Sequence, residues 1–250
     1  MKMIDVHAHL SEHHFPDVDE VLSRAKNAGV KAIINSITSP GESPYALKLL
    51  QKYHAYVFLT VGFDPTCTSA QEFERFTDLL KSEKSRIVGI GEVGLDHFYI
   101  RDDAGRQVQK GFFIQCIELA AKCDLPLVIH SRSAGRKAIE LISSTGYNRV
   151  LMHAFDGKAG DAEKAAKEGF YFSIPPSIVR SEQKQKLARV LPLESMMLES
   201  DSPALSPNVG ERNEPANVFK AALKISEIKG LPFNEVTDVT AANAREFFKI

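Results

Sequence analysis

Asp5-Val6-His7-Ala8-His9 ends the first apolar run of the chain, residues 3 to 7, and sets two imidazoles two residues apart. Side chains along a strand alternate between faces, so His7 and His9 point the same way. Alone, such a pair is as readily an ordinary polar strand end as a ligand pair. Its weight comes from Glu92, His130, His153 and Asp201, which follow the short apolar runs RIVGIGE, LPLVIH, RVLMH and SMMLESD.

Those runs belong to a longer alternation. Apolar, β-branched stretches recur at 3–7, 31–36, 56–62, 86–93, 125–130, 149–154, 170–174 and 195–200. Between them lie segments of helical period: Val18, Val21, Leu22, Ala25 and Ala28, then Phe73, Phe76 and Leu80, then Leu187, Val190 and Leu191. Gly29, Gly146 and Gly169 each precede a predicted strand and mark helix ends. Strands alternating with helices pair in parallel, and eight such units predict an α/β fold, a (β/α)8 TIM barrel, as a single domain over residues 1–250. In a barrel the C-terminal strand ends open on one face, so strands one, four, five, six and eight would bring all six ligand candidates to one mouth.

Composition narrows the function. A formal net charge of −1 gives no global field for nucleic acid, so polyanion binding requires a local basic face or bound cations. No apolar stretch reaches 18 residues, and MKMIDVHAHL is broken by Asp and His where a signal peptide needs an apolar segment. The expectation is a soluble, cytoplasmic protein with no membrane partner and no obligate protein partner. Cys67, Cys116 and Cys123 lack CxxC spacing and read as reduced. The stripe Val108, Phe112, Cys116, Leu119 and Cys123 reads as the buried face of a helix.

The blocks DVHAHL (5–10), GEVGLD (91–96), PLVIHSR (126–132), MHAFDG (152–157), LESDSP (198–203), RNEP (212–215) and NAREFF (243–248) resemble the TatD-type metal-dependent deoxyribonucleases of the amidohydrolase-like barrel superfamily. HSRSAGR, HAFDG and SIPPSIVRS resemble one branch, the TatD-domain proteins also found in animals. The resemblance implies two divalent metal ions bridged by a carboxylate. His7, His9, Glu92 and Asp201 would hold one, and Glu92, His130 and His153 the other. It also implies cleavage of DNA from the 3′ end of single strands, with DNA as the partner. Two features depart from the family: Asp64 stands where a histidine commonly precedes proline, and His97 where relatives often carry an aromatic residue.

Two such ions would acidify a shared water and neutralise charge developing on a phosphodiester. Asp201 is the candidate general base and Glu92 the bridging ligand. Imidazole and carboxylate together accept magnesium, manganese, zinc or iron, so the ligands leave the metal open. Arg132, one residue beyond a ligand-bearing strand end, is the leading phosphate contact. Arg136, Lys158, Arg180 and Arg212 are weaker ones, and Asp64 is a further substrate-binding candidate. Asp96 could orient a metal-bound histidine, while Glu199 either supports the site or is solvated. Lys184 and Lys186 read as an exposed helix face, and His13, His14, His54 and His97 as surface or packing residues. Phe98 and Phe155 could stack bases or pack as core. The same site could hydrolyse a carboxylic ester or amide such as D-aminoacyl-tRNA, and a non-catalytic metal-binding barrel is the remote alternative.

Overall fold

In the computed structural model, which describes residues 2–250, each strand pairs in parallel with the next in chain order. The strands are β1 (Met3–Ala8), β2 (Val30–Ile37), β3 (Val57–Val61), β4 (Gly89–Gly94), β5 (Leu127–His130), β6 (Val150–Met152), β7 (Tyr171–Ile174) and β8 (Met196–Leu198). The helices are α1 (Val18–Asn27), α2 (Ser43–Lys52), α3 (Ala70–Glu83), α4 (Asp103–Cys123), α5 (Gly135–Thr145), α6 (Ala159–Lys167), α7 (Glu182–Val190), α8 (Val218–Lys229) and α9 (Phe233–Phe248). The eight-stranded sheet closes almost fully. Asp201 N–H donates to the His7 carbonyl at 2.9 Å and His9 N–H to that of Ser202 at 2.8 Å, tying the chain after β8 to the end of β1. This is the predicted (β/α)8 barrel.

Two apolar layers hold it. The larger lies between the barrel wall and the helix ring and includes Leu22, Ile33, Leu59, Phe76, Phe113 and Phe172. The smaller gathers Ile4, Val6, Ala32, Ile34, Val128, Leu151 and Met197 from five strands. Val128 and Leu151 precede His130 and His153 by two residues, so strand alternation stacks them beneath those histidines inside the barrel. Ala241, Ala244, Phe247 and Phe248 of α9 join this cluster and cap its lower end.

Some boundaries differ from the sequence reading. The fourth strand begins at Gly89, with Arg86 still bonded back to Glu83 at the end of α3. The buried face of α4 is Gln109, Phe113, Cys116, Ile117 and Ala120, leaving Val108 exposed; only Cys116 of the expected stripe is fully buried. No helix among the described residues is long and apolar enough to cross a membrane.

Candidate metal centre

Two glycines let the central strands close up enough for their ends to meet. A side chain at Gly62 would collide with the Glu92 backbone, and one at Gly94, where φ is +145°, with the His130 carbonyl. With β3, β4 and β5 pressed together, Glu92 sits in the middle of the mouth. Its Oε2 lies 2.8 Å from His153 Nε2, 3.2 Å from His7 Nε2 and 3.8 Å from His130 Nδ1. Asp201 Oδ1 is 3.7 Å from both His7 Nε2 and His9 Nε2, which are 3.1 Å apart. All six ligand candidates therefore converge.

The surrounding contacts fix the rings. His9 Nδ1 donates to the Ser36 carbonyl at 3.0 Å, which leaves the lone pair of the neutral ring on Nε2. His130 Nε2 donates to Asp96 Oδ2 at 2.9 Å, leaving a lone pair on Nδ1. His7 Nδ1 meets the Ser36 hydroxyl at 3.1 Å, and that hydroxyl meets Thr60 Oγ1 at 2.7 Å. The buried Glu199 accepts from Ala154 N–H at 2.8 Å and from the Ser173 hydroxyl at 2.7 Å, and lies 3.4 Å from His153 Nδ1. Glu199 thus supports the turn that carries His153.

These contacts test the fit of a metal. Lone pairs and a carboxylate oxygen converging within about 3 Å repel unless positive charge lies among them. In two combinations, His7 with His9 and Asp201, and His7 with Glu92 and His153, all donor atoms lie within 4.8 Å of one another. His130 falls outside these tight groups, yet its Nδ1 is 3.5 Å from His153 Nε2 in the same cluster. Mixed nitrogen and oxygen donors of this kind suit divalent ions.

The proton affinities reflect the same demand. Burial works against a charged His9, but the bond to Asp201 and the charges of Glu92 and Asp201 prevail and raise it to about 9. His130 is likewise opposed by burial and lifted to about 9 by Glu92 and Asp96. Burial opposes His153 too, yet Glu92 and Glu199 hold it well above the usual histidine range. His7, dominated by burial and the neighbouring His153, is lowered. Glu92 is held well below the carboxylate range, since His153 and His130 outweigh its burial. His9, His130 and His153 gather protons where the donor set calls for cations, and His7 does not.

Five of the candidates, His9, Glu92, His130, His153 and Asp201, open into a cavity of about 470 Å³, lined also by Ser131, Arg132, Asp156 and Lys184. Arg132 stands at its rim, exposed, with its guanidinium 4.0 Å from the Phe98 ring centre. Asp64 is not among the lining residues; its Oδ1 accepts from the Thr66 N–H and hydroxyl at 2.7 and 2.8 Å and forms a turn. Arg212 is engaged by both oxygens of Asp17, at 2.7 and 2.8 Å, and Arg136 by Glu140. Arg180 bonds the Ser206 carbonyl, and Lys158 is exposed. Phe155 is wholly buried, a core residue and no stacking surface.

Lys184 reverses the expectation of an exposed face. It is buried, and its Nζ donates to the Ala154 and Phe155 carbonyls, each at 2.7 Å. Burial lowers its pKa. The sequence carries a signal for this: Leu187, Ala188 and Leu191 are the buried positions that follow, so 184 starts an i, i+3, i+4, i+7 stripe. Lys186 is exposed as expected. Asp5 was also part of the opening motif without being a ligand candidate. Wholly buried, it accepts from the Ser200 N–H and hydroxyl at 2.8 and 2.6 Å and fastens β1 to the segment bearing Asp201. Burial, partly offset by Ser200, raises its pKa to about 8.

Comparison with known proteins agrees with this geometry. The human protein named "Deoxyribonuclease TATDN3" is 40% identical over 258 residues, covering 98% of this chain and 94% of its own length. The "3'-5' ssDNA/RNA exonuclease TatD" of Erwinia tasmaniensis is 29% identical over 261 residues, covering 99% of this chain and all of its own length. The crystal structure of YJJV, a TatD homologue from Escherichia coli K12, superposes with a TM-score of 0.90 at 26% identity, covering 99% of this chain and 98% of that one. Relatives from Methanocaldococcus jannaschii and Bacillus subtilis carry the description "metal-dependent hydrolase". The sequence model described as "TatD related DNase" matches residues 4–249, and this chain is a metal-dependent hydrolase belonging to that family.

Proposed function

We propose that this chain is a deoxyribonuclease that removes nucleotides from the 3′ end of single-stranded DNA. The reading assigns His7, His9, Glu92, His130, His153 and Asp201 as ligands of two divalent ions. The observation that carries it is the convergence of four imidazoles and two carboxylates on one atom cluster, with Glu92 Oε2 at its centre. The names of the human and Erwinia relatives support DNA, and the latter the 3′ polarity and single strands. Bound divalent ions would supply an acidified water and charge neutralisation at phosphorus.

The chain's own groups supply the rest. Asp201 Oδ1, between His7 and His9, is the base that accepts the proton of the attacking water. Arg132, extended over the cavity rim, receives the phosphate. Asp96 and Glu199 hold His130 and His153 in place through the contacts above. We assign the whole chain, residues 1–250, to one catalytic domain. The free thiols of Cys67, Cys116 and Cys123 support the reducing cytoplasm as its compartment.

The test is degradation of 3′-labelled single-stranded DNA by chelator-stripped protein resupplied with magnesium, manganese or zinc. Activity should return with at least one metal and fall by about a hundredfold or more in Asp201→Asn, the scale of a lost general base. Hydrolysis of aminoacyl esters with DNA left intact under every metal would overturn the nuclease reading and keep the metal centre.

A further inference from the structure

The loop after β4 carries a surface that the hydrolytic site does not explain. Phe98 and Tyr99 are 42% and 61% exposed, adjacent in sequence, with ring centres 5.0 Å apart and planes at 89°. Single exposed apolar residues are ordinary, but two large part-exposed rings side by side, against an arginine that lines the metal cavity, are not. We infer that this pair is a stacking platform for the bases of a single-stranded nucleic acid leading away from the metal centre. The inference rests on the nuclease reading above and adds the binding site for the part of the strand that is not being cut.

The platform is built into the site. Asp96 Oδ1 accepts the N–H groups of both Phe98 and Tyr99, at 2.9 and 2.8 Å, while its Oδ2 accepts from His130. One buried carboxylate therefore references the aromatic pair to a ligand histidine. Arg101 Nε donates to the Phe98 carbonyl at 3.1 Å, Arg106 Nε to that of Ile100 at 3.0 Å, and His97 N–H to that of Arg132 at 2.9 Å. The loop is thus tied to α4 through Arg106 and to the chain after β5 through Arg132. Arg132 bridges the two regions: it lines the metal cavity, and its guanidinium lies 4.0 Å from the Phe98 ring centre and 5.1 Å from that of Tyr99.

Charge continues the path. Starting at His97, next to the rings, a second cavity of about 440 Å³ between α4 and α5 is lined by the cations Arg106, Lys110 and Lys137 and the acids Asp103 and Glu140, while burial and Arg106 lower the pKa of His97 itself. Glu140 already pairs with Arg136, so the face is basic in a chain whose net charge is −1. Aromatic faces beside a cationic track are how proteins hold single strands without reading sequence, since every base has a π-face and every linkage a phosphate. A duplex hides its base faces and would gain little here.

The test measures binding and turnover separately. Metal-loaded Asp201→Asn protein, with and without Phe98→Ala and Tyr99→Ala together, is titrated into fluorescent oligothymidylate and followed by anisotropy. In parallel, kcat/KM is measured for the same oligonucleotide and for bis(4-nitrophenyl) phosphate in otherwise wild-type protein. The dissociation constant should rise about tenfold or more on loss of the rings, the scale of one to two stacked bases. The oligonucleotide kcat/KM should fall by a similar factor more than that of the small diester, and Tyr99→Trp should recover binding. Unchanged oligonucleotide affinity would overturn the platform, as would an equal loss on both substrates, which marks a damaged metal centre. Ring-dependent binding by a protein that cuts no strand with any metal would instead fell the nuclease reading.

Discussion

A carboxylate has two oxygens, and Asp96 uses them for different ends: Oδ1 holds the turn at Phe98 and Tyr99, Oδ2 holds His130. Asp96→Asn tests the second role by proton placement. With the amide oxygen on the two backbone N–H groups, its NH2 faces His130 Nε2, which must then accept. The imidazole proton moves to Nδ1, the atom aimed at Glu92. Metal affinity should drop about 10- to 100-fold, read by titration of the stripped protein, with the folded signal in circular dichroism retained. Unaltered affinity would show that His130 does not depend on Asp96. The ligand candidates were legible in sequence because each closes an apolar run, so chain position alone locates it on the barrel. The contacts of Lys184 and Asp64 were not, although the period of α7 already marks position 184 as buried. What decides them is a partner reached through space or a local turn: two carbonyls after β6 for Lys184, Thr66 for Asp64.

At the scale of elements, period carries most of the information. Helix α1 buries Val18, Val21, Leu22 and Ala25, and α3 buries Phe73, Phe76 and Leu80, as their spacing predicts. Helix α4 is harder, because apolar residues lie on more than one side over its 21 residues, and the neighbours choose the buried face. The role of α9 is likewise set by tertiary context: NAREFF identifies the family block, whereas closure of the barrel follows only from seeing Phe247 and Phe248 beneath Val128, Leu151 and Met197. Phe247 is 5% exposed and packs edge-on against Tyr171 at 5.4 Å. Phe247→Ala should therefore cost about 3 kcal/mol or more in chemical denaturation, the usual range for a large aromatic removed from a core. Because the cap lies at the end of the barrel opposite the candidate ligands, the metal stoichiometry of the protein that remains folded should stay at the parent value. A loss below about 1 kcal/mol would mean that α9 covers the barrel without sealing it.

The whole molecule couples the metal centre to stability through protons. In the metal-free protein His9 and His130 titrate near 9 and His153 is raised as well, against about 6.5 in an unfolded chain. Between those values the folded state holds more protons than the unfolded one, so stability falls as pH rises from about 6.5 to 9. Asp5 acts in the same direction over a lower window. Its carboxyl, raised to about 8, favours folding fully below about 4, and that contribution is lost as pH climbs to 8. Glu92 is already ionised in both states across the upper window and adds no slope there. Metal reverses the dependence, because ions bind the deprotonated imidazoles that high pH supplies, and ligand binding to the folded state raises its stability. Thermal unfolding from pH 6 to 9, with chelator and with saturating divalent metal, should thus give two diverging curves. The melting temperature of stripped protein should decline, and its separation from that of loaded protein should widen as pH rises. In Glu92→Gln protein the decline should be shallower, because the largest charge raising His130 and His153 is gone. Parallel curves for stripped and loaded protein would contradict the assignment of these imidazoles as the metal ligands.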